Sequence, residues 1–318
     1  MTRVSVEEVE SALAALRREH LGDRRGSVRT SLLDLVAVCD DEALAAELAE
    51  AVEALPSSRP SRALLALVRS GDGPVEFEAR VFARETGGDE FAVFSESVSL
   101  TSGGGGAPLP SLIAGLLLPD LPVVLLWRAR PRIQSALLKG LWPLATRVVV
   151  DSTGEPGTLE ALQVLIAREP QRPVGDLSWT KIQGWRETVA RMFDVPESAQ
   201  ALARLERIAI RHVAPADAQA RLLAAWVRSR TGITAPVELT AETRDDMRSG
   251  SITCVTLVCA GADYRVERVD EGIARLDAPL VPSQNVRIRV PQLRHLLALE
   301  FEVQGRDPAF EDAVRALV

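Results

Sequence analysis

The most apolar window of the chain, residues 109–127, is broken by Pro110, Pro119, Asp120 and Pro122. A membrane helix needs about 20 unbroken apolar residues, so the window divides into two short elements. A helix is expected around 109–118 and a fully apolar strand at 122–127. Residues 132–144 read as a helix, 147–150 as a second apolar strand ending at Asp151-Ser152, and 158–168 as another helix. Apolar strands alternating with helices describe a parallel sheet covered on both faces.

The flanking sequence extends this pattern. Residues 4–20 place Val6, Val9, Leu13 and Leu16 at helical spacing, and 30–39 form a buried strand followed by Asp40-Asp41 as a helix cap. Residues 61–69 are a further apolar strand. Strict alternation in 75–84, with turn glycines on both sides and a strand at 91–100, predicts a hairpin with one wet face. Pro170, Pro173 and Gly175 mark 169–175 as the linker between domains at 1–170 and 176–318. Beyond it, Asp176 caps a helix expected to run to Phe193. A strand at 205–213, a helix at 215–230 stopped by Gly232, a hairpin of 251–259 with 263–269, a strand at 286–290 and helices at 292–301 and 308–317 complete the chain. The expected fold class is α/β (mixed α+β): two domains, each a mixed sheet covered by helices.

Charge and composition exclude several functions. The 37 basic and 44 acidic residues leave a net charge of −7, with 4% aromatics. A nucleic-acid binder normally carries a basic excess or stacking aromatics. Cys39, Cys254 and Cys259 lie in apolar runs and read as buried thiols of a reducing compartment. The start, Met-Thr-Arg and then an acidic amphipathic stretch, predicts no signal peptide, hence a cytoplasmic protein without a membrane partner.

Catalytic signals are absent from the sequence. His20, His212 and His295 have no metal-ligand spacing, and each reads as structural or surface. Gly103–Gly106 precede a helix but lack a phosphate-loop lysine and a dinucleotide fingerprint, which leaves a flexible loop. No cofactor, metal site or catalytic residue is expected. Two places remain. Ligands of open α/β sheets bind beyond the carboxyl ends of strands; here those ends carry Trp127, Arg128, Arg130 and Arg132, and then Asp151 with Ser152. These arginines could hold a phosphorylated sugar or an acidic partner surface; the alternative is a solvated rim. The second place is the helix from Asp176, with Trp179 and Trp185. Core packing suits Trp179, and Trp185 beside Arg186 suits an interface anchor.

Four stretches together resemble the OpcA family, the glucose-6-phosphate dehydrogenase assembly proteins of cyanobacteria and actinobacteria. They are Pro60-Ser61-Arg62-Ala63, the block from Leu117-Leu118-Pro119-Asp120 through Trp127, Val149-Val150-Asp151-Ser152, and Asp176-Leu177-Ser178-Trp179 with Trp185-Arg186 and Phe193-Asp194. Leu222-Leu223-Ala224-Ala225-Trp226 is a weaker fifth, and the matches span 60–226 in the right order. The chain departs from the family pattern at Arg59, Arg128, Lys181 and the four glycines. The resemblance implies a non-catalytic assembly factor and activator that binds oligomeric glucose-6-phosphate dehydrogenase in the oxidative pentose phosphate pathway. Trp127, Arg128, Trp185 and Arg186 are then the candidate partner-binding residues. The alternative is an α/β ligand-binding protein or enzyme for a phosphorylated sugar, using Arg128, Arg130, Arg132, Asp151 and Ser152.

Overall fold

The computed structural model describes residues 4–21, 27–28, 31–55, 61–85, 92–129, 136–244, 246–247, 250–303 and 305–317. They divide into two compact units. One is drawn from Met1–Val150, Gln171–Val174 and Leu293–Gly305, the other from Asp151–Pro170, Gly175–Gln292 and Arg306–Val318.

The first unit begins with α1 (Val6–Leu21), β1 (Ser27–Val28), β2 (Leu33–Cys39), α2 (Glu42–Glu53), β3 (Ser61–Val68), β4 (Glu76–Glu85) and β5 (Ala92–Ser102). It continues through α3 (Leu109–Leu116), β6 (Val123–Arg128), α4 (Ala136–Leu141) and β7 (Arg147–Val150). Its sheet runs β1-β5-β3-β2-β6-β7 and on to β8 (Val174–Asp176), with β4 antiparallel on β5. The pairs β1–β5, β5–β3, β3–β2, β2–β6 and β6–β7 are parallel. Every residue of β2 is buried, as a strand covered on both faces requires. The β4–β5 hairpin has its expected wet face, with Glu76, Glu78 and Arg80 exposed and Val81 buried. The helix expected at 132–144 is α4 followed by one 3-10 turn, Trp142–Leu144; residues 132–135 lie outside the described set.

Charge is built into the middle of this apolar sheet. Asp34 of β2 pairs in register with Arg62 of β3, and Arg62 with Glu96 of β5. Arg62 Nε donates to Glu96 Oε2 at 2.8 Å, and Nη1 donates to Glu10 of α1 and to the Leu116 carbonyl closing α3. Arg17 of α1 reaches the other Glu96 oxygen at 2.9 Å. One guanidinium thus ties two helices to the sheet.

The glycine run is not a phosphate cradle. Gly104 N donates to Gly71 O at 2.6 Å, and a Cβ on Gly103 would fall 2.4 Å from Gly73 N. Gly104, Gly105 and Gly106 all have positive φ. Gly103 is glycine because it packs backbone to backbone against the Gly71–Gly73 turn, and the next three because their backbone is left-handed.

The second unit holds α5 (Thr158–Arg168), α6 (Leu177–Lys181), α7 (Gln183–Arg191), α8 (Pro196–Leu202), β9 (Leu205–Val213), α9 (Asp217–Thr231) and β10 (Val237–Glu242). The strands β11 (Ile252–Cys259), β12 (Ala262–Asp270), β13 (Ile273–Ala278) and β14 (Val281–Arg287) follow. The chain then crosses to the first unit for α10 (Leu293–Glu300), against α2, and returns for α11 (Pro308–Arg315). The sheet order is β10-β9-β11-β12-β13-β14, parallel only between β10 and β9. One face buries Ile208, Ile210, Leu257, Tyr264, Val266 and Leu276, while α9 packs on β9 and β10. Along the other, Arg211 bridges Glu242 at 3.3 Å and Glu267 at 2.5 Å. Gly232 stops α9 in the left-handed region, as its position after the last turn predicts.

Three strands escape the apolar pattern. β10 and β14 lie at the sheet edges with mostly exposed side chains, and β13 is exposed at alternate positions. The strand expected at 286–290 is instead β14, which ends at Arg287.

Candidate functional site

The helix expected from Asp176 to Phe193 is two helices. Asp176 caps α6 by accepting from Ser178 N at 2.9 Å, and Ile182, with φ −88° and ψ 6°, separates α6 from α7. The apolar stripe could not report this break, because Trp179, Ile182, Trp185, Val189 and Met192 are buried on both sides of it.

Asp176 organises a polar cluster in the second unit. The side chain is 0% exposed, and Oδ1 also accepts from Ser152 N at 3.1 Å. Burial pushes its carboxyl up to about 7, against the opposing pull of the Ser152 and Ser178 hydrogen bonds, and the Asp151 charge adds to the rise. Beside it, Lys181 Nζ donates to Thr153 Oγ1 at 2.7 Å and to Asp151 Oδ1 at 3.3 Å. The Thr153 and Ser178 hydroxyls are 3.1 Å apart. Asp151 and Ser152 thus serve a network that pins the start of α6 to the chain leaving β7.

Trp179 and Arg186 make the second grouping. The Arg186 guanidinium lies 3.5 Å over the Trp179 ring. Trp179 Nε1 donates to Asp307 Oδ2 at 2.8 Å, and Phe310 packs against the indole with centroids 5.6 Å apart. Asp307 Oδ1 caps α11 through Ala309 N and Phe310 N. Burial draws the Arg186 pKa down to about 10, and the Asp307 and Glu187 charges oppose it. Among the described residues Arg186 Nε is enclosed with no acceptor, and Nη2 lies 3.5 Å from the Trp179 carbonyl.

The remaining expected residues are distributed as follows. Trp127 and Trp185 are each 3% exposed, so both rings pack in the interior of the chain. Arg268 lies 5.3 Å from the Trp185 ring centre and donates to the Ile252 and Ile288 carbonyls. Arg128 Nη1 pairs with Glu47 Oε2 at 2.9 Å within the first unit, whereas Asp151 and Ser152 belong to the second. Arg130 and Arg132 lie outside the described residues. His212 is buried against Asp217, and His295 is exposed. Cys39, Cys254 and Cys259 are buried free thiols, and burial pushes Cys39 and Cys259 up to about 11. Among the described residues no helix is long and apolar enough to cross a membrane, and no group of three metal-ligating side chains occurs.

Sequence adjacency pointed to Trp185 with Arg186, but the stacked pair is Trp179 with Arg186. The two lie on opposite sides of the break at Ile182, so no helical spacing in the sequence reports the pairing.

Comparison with known proteins finds two consecutive matches along the chain. Residues 52–167 match a domain model described as the glucose-6-phosphate dehydrogenase subunit N-terminal domain. Residues 172–314 match the corresponding C-terminal domain model. A Nostoc punctiforme protein named as the OxPP cycle protein OpcA is 34% identical over 122 residues, 37% of this chain and 26% of that one. Its Synechocystis namesake is 32% identical over 123 residues, 37% of this chain and 25% of that one. The match therefore spans about a quarter of these relatives' length. An oxidoreductase of Sinorhizobium meliloti superposes with a TM-score of 0.48 at 8% identity, over 90% of this chain and 95% of that one, too loosely to bear on function. Matched in tandem by both domain models, and by the OpcA proteins in sequence, the chain belongs to the OpcA family.

Proposed function

We propose that this chain is a non-catalytic partner of glucose-6-phosphate dehydrogenase that binds the oligomeric enzyme and favours its active form. The observation that carries the reading is the tandem match to two domain models described as parts of a dehydrogenase subunit. An activator without chemistry of its own acts by binding the active state of its target more tightly than the inactive one. A coupling of about 1–3 kcal/mol is typical, and changes the balance of states about 5- to 150-fold.

Within this reading Arg128 and Arg186, the part-exposed members of the expected contact set, meet the enzyme, and Trp127 and Trp185 hold the elements that present them. The experiment follows nicotinamide reduction by the dehydrogenase of the same genome with and without the chain, beside size exclusion with light scattering. The expected result is a larger complex with a lower KM or a higher kcat. Two folded proteins that form no complex and show no change in rate refute the reading.

A further inference from the structure

Of the buried arginines, Arg62 pairs with Glu96 and Arg147 with Glu300 at 2.8 Å, while Arg268 is held by the Ile252 and Ile288 carbonyls. Arg186, which is part-exposed, has no such set of partners. Among the described residues it makes no ion pair, and its interactions are the Trp179 ring, one long contact to a carbonyl and the fields of Asp307 and Glu187. Asp307 uses both oxygens on Trp179, Ala309 and Phe310.

The geometry points to a receptor for one carboxylate. We propose that the Trp179–Arg186 stack receives a single aspartate or glutamate side chain presented on the surface of the dehydrogenase; this rests on the partner reading above. The indole is fixed by Asp307 and Phe310, and the guanidinium carbon sits 3.5 Å over its ring. Arg186 is part-exposed although its Nε is enclosed, so a carboxylate would approach the outer end of the fork. Partial burial strengthens a charge-assisted hydrogen bond made there. Asp307 and Glu187 already set negative charge near the guanidinium, so a carboxylate monoanion meets less repulsion there than a phosphate dianion would.

The test measures the affinity of the full-length chain for the dehydrogenase by titration calorimetry. Arg186→Gln is expected to bind about 10- to 100-fold more weakly, as loss of a desolvated charged hydrogen bond at an interface does. Arg186→Lys keeps the cation but not the fork, and is expected to lose about 3- to 10-fold. Arg69→Gln, which removes an exposed ion pair with Glu42, serves as the control and binds as wild type. The near-UV circular dichroism of the tryptophans reports whether each variant folds; if Arg186→Gln does not, Arg186→Lys decides. Wild-type affinity in the folded variants overturns the receptor alone. Failure of the wild-type chain to bind overturns the partner reading and the receptor with it. Inorganic phosphate should compete no better than chloride of equal ionic strength, and stronger competition that disappears in Arg186→Lys would assign the socket to phosphate instead.

Discussion

Replacing Arg62 by methionine tests the charged row inside the first unit's sheet. Arg62 and Glu96 are each 1% exposed. The substitution removes the Nε and Nη2 contacts to Glu96 at 2.8 and 2.7 Å, the Nη1 bond to Glu10 and the bond to the Leu116 carbonyl. Glu96 keeps its ion pair with Arg17, whose side chain is 22% exposed. Removing one member of a buried pair typically costs about 3–5 kcal/mol, because the other charge stays buried and uncompensated. At about 2–4 °C per kcal/mol for a unit of this size, the midpoint should fall by roughly 6–20 °C. Amide hydrogen exchange in β3 and β5 reads the stability of this unit directly. Removing both charges in Arg62→Met/Glu96→Leu should recover most of the loss, since apolar replacements of a whole buried pair are often neutral. A single substitution costing less than about 1 kcal/mol, or a double variant worse than the single, would refute the reasoning.

Other consequences are accessible to simple measurements. The folded-state pKa of Asp176 lies above its ordinary value, so the folded state holds its proton to higher pH than the unfolded chain does. Stability from this group is then fully present below about pH 4 and is lost as the pH rises towards about 7. Asp176→Asn should flatten that slope in pH-dependent denaturation while keeping an acceptor for Ser152 N and Ser178 N; an unchanged slope would exclude Asp176 as its source. Trp185→Ala should destabilise the chain by about 3–5 kcal/mol in urea titrations, as deletion of a buried aromatic does. Gly103→Ala should lower the thermal midpoint, because the added methyl meets the Gly71–Gly73 backbone at 2.4–2.9 Å; a midpoint equal to wild type would show that the turn can yield. Cys39 and Cys259 should react with iodoacetamide at pH 7 only as fast as the chain opens, and labelling at the rate of a free thiol would contradict their burial.

Sequence alone determined the elements that bury an apolar face. Strands β2, β3, β6 and β7 are mostly apolar runs, interrupted by Asp34, Ser61, Arg62, Arg128 and Arg147, because both of their faces are covered. Helix α9 carried its own stop in Gly232, and the β4–β5 hairpin was visible as alternation. Edge strands β10 and β14 were not legible, since their side chains are largely exposed and only backbone pairing holds them in place. The family blocks were legible as motifs, but not the tasks of their residues. Arg62 meets Glu96 across 34 residues of chain, a distance no local period records. Asp151-Ser152 and Asp176 were recognised separately, and the fold brings them together around a buried carboxyl. Trp185 was read beside Arg186 because the two are neighbours in sequence, yet neighbours on a helix face different ways. Only the tertiary structure decided which tryptophan the guanidinium covers, because that depends on Asp307 and Phe310, which arrive from more than a hundred residues along the chain.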